Sequence, residues 1–140
     1  MAQGDGVVYN EFKKELLKGL IDLDGHTLKM MLVTGYTPNI DTHNGYSDVS
    51  SYEVSGTNYT AGGATLGSPA VTEDTANDKG VCDAADVTWS SISAGTPSHG
   101  ILYDDTHASK CLIAYWEVTT PTNGGNYTLQ FGAGGVLTLA

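Results

Sequence analysis

The sequence predicts a mainly β domain: one N-terminal amphipathic helix packed on an antiparallel β-sandwich or jelly-roll-like body. Three observations carry that expectation. Helical periodicity is confined to the N-terminal stretch and does not return. Downstream, short apolar runs recur about every 8 to 12 residues with Gly, Asn and Pro between them, the pattern of a sandwich rather than a wound α/β sheet. The chain has 140 residues, which supports one core of ordinary size (about 100 to 150 residues) and not two.

Residues 1–6, Met1, Ala2, Gln3, Gly4, Asp5 and Gly6, lack an apolar anchor beyond Met1 and read as a flexible arm, leaving 7–140 as a single domain. From Val8 the pattern is helical. Val8, Phe12, Leu16 and Leu20 share a stripe with Leu17, while Glu11, Lys13, Lys14, Glu15 and Lys18 fill the solvated remainder. Asn10 or Asp5 would cap the start. Gly19 weakens continuation past Leu20, so the helix is expected over about residues 8 to 20.

After Asp22-Leu23-Asp24-Gly25, the run Leu28 to Val33 is apolar on nearly both faces and reads as a central strand, covered by the sheet's core on one side and by the helix on the other. Further strands are expected at 51–54, 64–66, 70–72, 80–83, 87–90, 100–103, 111–118, 127–131 and 136–139. The clearest hairpin joins Cys111–Val118 to Tyr127–Phe131 through Pro121-Thr122-Asn123-Gly124-Gly125, because Asn-Gly supplies positive φ angles. Period-two burial in the last strand places the C-terminus inside the sheet. The polar stretch from Gly35 to Ser50 is long for a loop, and such loops are commonly functional or held by a partner.

Charge excludes one class of function. Sixteen acidic residues face six lysines and no arginine, a formal charge of −10. That surface repels phosphate and lacks the guanidinium fork that grips bases, so no nucleic-acid partner is expected. The apolar runs Met30–Val33 and Cys111–Trp116 fall far short of the roughly 20 residues that cross a bilayer. With a polar, acidic N-terminus in place of an export signal, a soluble protein with no membrane partner is expected. Cys82 and Cys111 show no framework spacing and read as buried thiols, with pairing left open.

Catalytic motifs are not legible. No Gly-x-Ser-x-Gly elbow occurs, and His26, His43, His99 and His107 fall in predicted turns, where a solvated imidazole is the default. The stretch Glu73 to Gly80 has the acid density of a calcium loop, but Ala76 and Lys79 occupy a ligand position and the turning-glycine position. Asp104-Asp105 reads as a solvated turn, and neither zinc spacing nor a phosphate-cradling glycine motif occurs. No enzyme activity, catalytic residue, metal or cofactor is therefore expected. Trp89 and Trp116 fall in strands and read as core. Tyr36, Tyr46, Tyr52 and Tyr59 fall in loops, where exposed tyrosines favour a contact surface for protein or carbohydrate.

Several blocks carry a resemblance: Leu28–Thr34 followed by Tyr36-Thr37-Pro38-Asn39-Ile40-Asp41-Thr42-His43, then Glu53 to Leu66, Asp83 to Trp89, Asn126 to Phe131 and Gly135 to Leu139. In these the chain resembles a family of small virion structural proteins of tailed bacteriophages, of the head-decoration or cement-like kind. The resemblance implies a place on the capsid exterior, with the major capsid protein as partner and a homo-oligomer, a trimer favoured, as the working form. The contacts are expected at the arm, Met1 to Gly6, and at Tyr36, Pro38, Asn39, Asp41, His43 and Tyr46 in the long loop. The alternative is a tail or fibre adhesin that holds host-surface glycan.

Overall fold

The computed structural model describes residues 6–140, so Met1 to Asp5 of the expected arm lie outside the described residues. The chain is mainly β. In order it forms β1 (Val7–Val8), α1 (Asn10–Leu17), β2 (Leu28–Val33), α2 (Tyr46–Val49), a 3-10 turn (Ser50–Tyr52), β3 (Ala64–Thr65), β4 (Ala70–Asp74), β5 (Lys79–Asp83), β6 (Val87–Trp89), β7 (His99–Asp104), β8 (Leu112–Glu117), β9 (Tyr127–Leu129) and β10 (Leu137–Leu139). All pairings are antiparallel: a five-stranded sheet β1-β8-β7-β2-β3, a three-stranded sheet β10-β5-β4 and the pair β6-β9.

The large sheet is buried on both faces, which explains why β2 and β8 read as continuous apolar runs. Leu28, Met30 and Leu32 of β2 join Leu102, Trp116, Trp89 and Leu129 in one cluster. Met31 and Val33 turn the other way, toward Ile101, Tyr103 and Leu112. Between β7 and β8 the register passes from Leu102↔Ala114 to Tyr103↔Leu112, leaving Ile113 as a bulge that lets two consecutive side chains, Ile113 and Ala114, enter the same cluster.

The second face is not covered by the helix, as the sequence suggests. Phe12 of α1 packs into the first cluster, and the second face is closed by Tyr9, Tyr36 and Val49, with Ile40 and Tyr46 against them. The helix is also shorter than periodicity implies. Its N-cap is Tyr9, with no side-chain cap, and it ends in a Schellman motif: Leu20 N–H donates to Glu15 O (3.0 Å), Gly19 N–H donates to Leu16 O (3.0 Å), and Gly19 takes φ +74°. A helix closed there cannot carry Leu20 on its stripe.

Two further expectations fail for reasons of long-range pairing. Residues 111–118 and 127–131 do not form a hairpin, since β8 pairs with β1 and β7 while β9 pairs with β6. The Pro121–Gly125 turn instead docks on the 92–95 segment: Gly124 N–H donates to Ile92 O (2.8 Å), Ile92 N–H to Gly125 O (3.1 Å) and Ala94 N–H to Thr122 Oγ1 (2.8 Å). The C-terminal strand is not interior either, because β10 is an edge strand and Leu139 is 66% exposed. Residues 51–54 form the end of a 3-10 turn and a single bridge, Val33↔Glu53, rather than a strand.

Candidate functional site

The long loop expected to be a contact surface is instead a cover for the sheet. Tyr36 is buried, and its hydroxyl meets Tyr9 Oη at 2.9 Å and His43 Nδ1 at 2.8 Å. Asn39 Oδ1 accepts from the backbone N–H of Asp41 (3.1 Å) and Thr42 (3.2 Å), and Asn10 Nδ2 donates to Asp41 Oδ1 (2.5 Å). The Asp48 carboxylate takes N–H groups of Asn44 (2.9 Å) and Gly45 (3.1 Å), and these bonds hold it below the usual carboxylate range. Gly45 is required at this point, because a Cβ would run into the Ser109 carbonyl. Pro38, Asn39, Asp41 and His43 keep partial or full exposure, whereas Tyr36 has no free surface to offer.

The loop tyrosines are likewise spent internally. Glu53 is their hub: Oε2 accepts from Tyr46 Oη (2.8 Å), and Oε1 accepts from Tyr59 Oη (2.8 Å) and Gly62 N–H (2.6 Å). Tyr59 Oη in turn accepts Leu32 N–H at 3.0 Å, and Tyr103 Oη donates to Gly62 O at 2.6 Å. Burial, with the Glu53 bond, pushes the Tyr46 phenol up to about 12. Tyr52, 38% exposed, is the open member of the group.

The histidines are not solvated turn residues. Asp104, fully buried, places Oδ2 2.6 Å from His26 Nδ1 and accepts the N–H groups of Thr106 (3.0 Å) and His107 (3.1 Å) on Oδ1. Ser109 N–H donates to His107 Nδ1 (3.2 Å), which leaves the Nε2 proton to face Glu15 Oε2 at 3.1 Å. Glu15 is thus buried, not on the solvated side of the helix, and the His107 bond holds its carboxyl below the usual range. These two pairs staple α1 and the 22–26 turn to the β7–β8 loop. In the former calcium-like stretch, Asp74 takes Asn77 N–H and Nδ2 in the tight β4–β5 turn. Among the described residues, no three His, Cys, Asp or Glu side chains are grouped to hold a metal ion. Cys82 and Cys111 are both buried and free.

The surface left unfinished lies elsewhere, where α1 meets β1 and β10. One cavity of about 390 Å³ is lined by Gly6, Val8, Lys79 and Gly134 to Thr138. A second, of about 310 Å³, shares Val8, Leu137 and Thr138 with it and adds Phe12, Lys13, Leu16, Leu17 and Leu139. Together they form one trough, glycine-rich at one end and apolar at the other. Leu16 also borders a neighbouring hollow with Ile21 and Val71. Exposure there is high for such side chains: Leu17 88%, Leu139 66% and Val71 47%. Periodicity singled out the helix stripe, yet only Phe12 is fully buried from it, with Val8 and Leu16 half-buried. Nothing in the sequence pattern distinguishes the covered half of that stripe from the open half.

Gly6 is the one described residue of the expected arm. It sits so close to the Trp116 indole that a Cβ would collide with the ring, so the arm's last residue is packed at the glycine-rich end of the trough. No family profile, no curated protein and no solved structure matches this chain.

Proposed function

We propose that this protein is a structural component of a tailed-phage virion, a capsid decoration or cement protein that grips major capsid subunits through the α1–β10 trough and makes or breaks no covalent bond. The observation that carries this reading is the trough itself: among the described residues, a half-covered apolar helix stripe beside an open strand edge. Contiguous exposed apolar surface of this kind marks docking sites. An acidic, arginine-free exterior suits a position outside a DNA-filled shell, where no phosphate needs to be met. The blocks resembling small phage virion proteins support the same placement.

In this reading the body is a sandwich whose large sheet packs on the β6-β9 pair and the three-stranded sheet, with α1 at one end. Copies assemble as a small cyclic homo-oligomer, a trimer favoured, so that symmetry multiplies contacts weak in a single copy. The arm, Met1 to Gly6, joins the contact because Gly6 ends at the trough. The exposed loop residues Pro38, Asn39, Asp41 and His43 form a secondary contact at most. The adhesin alternative loses its tyrosine platform, since Tyr36, Tyr46 and Tyr59 are committed inward. The test is occupancy on purified particles. Deleting residues 1–6, or replacing Leu139 by Lys, should lower the copies bound per particle at equal protein concentration, and unchanged occupancy in both would refute the reading.

A further inference from the structure

We propose that the trough is a strand-addition slot that takes an extended segment of a partner protein, with alternating apolar side chains and at least one carboxylate. This rests on the docking reading above and specifies what docks. Among the described residues, β1 ends the five-stranded sheet and β10 ends the three-stranded one, so each presents an edge that no described strand pairs, and residues of both border the same trough.

Backbone parity points the same way. Along an antiparallel strand, successive residues aim their N–H and C=O at opposite edges. Tyr9 N–H donates to Ile113 O of β8 at 3.0 Å, in the same register as Val7↔Tyr115 and Val8↔Ala114. Tyr9 and Val7 therefore serve β8, and Gly6 and Val8 aim their polar groups away from it. Gly6 and Val8 are also the residues of this edge that line the trough. A strand laid there would collect main-chain bonds from them while its alternate side chains met Phe12, Leu16 and Leu137.

Charge selects the occupant. The chain has sixteen acidic residues against six basic ones, yet the charged side chains lining the trough, among the described residues, are Lys13 and Lys79. The Lys13 ammonium donates to the neutral Asn10 amide oxygen (3.2 Å), which leaves its charge to an incoming carboxylate. Lys79 stands opposite Asp74 in the β4–β5 ladder and shares a neighbouring hollow with Glu73, Asp74 and Asp78, so the uncommitted positive charge is that of Lys13. It fits an acidic, apolar segment, while the like net charge of −10 opposes a second copy of this chain.

Selection of a displayed random dodecapeptide library on the immobilised full chain tests the assignment. Lys13→Glu and Leu139→Lys serve as counter-baits, each first shown to melt like the parent. The expected result is enrichment of peptides that alternate apolar residues with Asp or Glu, each losing about tenfold or more in affinity on either counter-bait. Enrichment of basic peptides, no enrichment, or peptides indifferent to both substitutions would overturn it. So would a self-association that Leu139→Lys abolishes, which would give the slot to a second copy. If Leu139→Lys still loses particle occupancy while selection fails, the docking reading stands and the strand-addition inference falls.

Discussion

The two sides of this molecule are finished differently. Over the second face of the large sheet, the chain from Tyr36 to Tyr52 lies down as a lid that is bonded into the fold: Tyr36 by Tyr9 and His43, Tyr46 by Glu53, and the backbone by Thr34 N–H to Tyr52 O (2.8 Å). Beside α1 the reverse holds: among the described residues, nothing covers an apolar stripe and a strand edge. The contrast teaches that loop length and tyrosine content do not mark a contact surface. A polar loop can close a core when its side chains find partners, and a regular helix can stay half-open when nothing crosses it.

Substitutions on the lid should have the largest effect on stability. Tyr36→Ala removes a buried ring together with two hydroxyl contacts and should cost about 3 to 5 kcal/mol in urea unfolding. A cost under about 1 kcal/mol would mean that the lid is not part of the cooperative core. Glu53→Ala strips acceptors from two phenols and one N–H group and should cost about 2 to 3 kcal/mol, with Glu53→Gln recovering part because its amide oxygen still accepts. Equal losses for the two variants would show that charge rather than hydrogen bonding matters at this hub.

A pH dependence should follow from the same side. His99 lies between the rings of Tyr36 and Tyr115, with centroids 5.5 Å away in each case, and its Nδ1 meets Ser98 Oγ at 3.0 Å. Burial holds its imidazole below the usual value, and Glu117, opposite it in the ladder, pulls the other way. The unfolded chain therefore takes up a proton here before the folded chain does. Stability should begin to fall as pH drops through about 6.5 and continue falling until the lower folded value is passed. Thermal midpoints measured from pH 8 to 5 should show this slope, and His99→Gln should flatten it. Glu15 and Asp105, both held below the usual carboxylate range by their His107 and Lys110 bonds, contribute a separate loss at lower pH, as acid passes the ordinary carboxylate values toward their depressed ones.

The smallest effect on stability is expected at the trough. Leu17→Glu and Leu139→Lys alter side chains that are 88% and 66% exposed and should leave unfolding free energy within about 0.5 kcal/mol. A large loss in either would mean that the trough is part of the core after all.

What was legible in the sequence is what local pattern determines. The double-sided apolar run of β2 and the strand at 112–117 are set by neighbours close in the chain, whereas the helix, read from periodicity as reaching Leu20, ends at Leu17. What was not legible depends on distant partners. Asn123-Gly124 has hairpin chemistry, but its carbonyl and amide partners lie at Ile92 to Gly95, so the turn became an anchor for a crossover. Glu15 sits among lysines on the helix and reads as solvated, yet a histidine far along the chain buries it. The tyrosines read as exposed because the loop around them is polar, and the acceptor that draws two of their hydroxyls inward, Glu53, is itself an unremarkable acid in sequence.

The most direct test pairs one substitution on each side. Leu139→Lys and Tyr52→Lys both place an ammonium on an exposed apolar residue, the first at the trough and the second on the lid side, where Tyr52 is 38% exposed. Copies bound per purified particle should fall for Leu139→Lys and hold for Tyr52→Lys. Loss for Tyr52→Lys with full binding for Leu139→Lys would contradict the trough as the docking face.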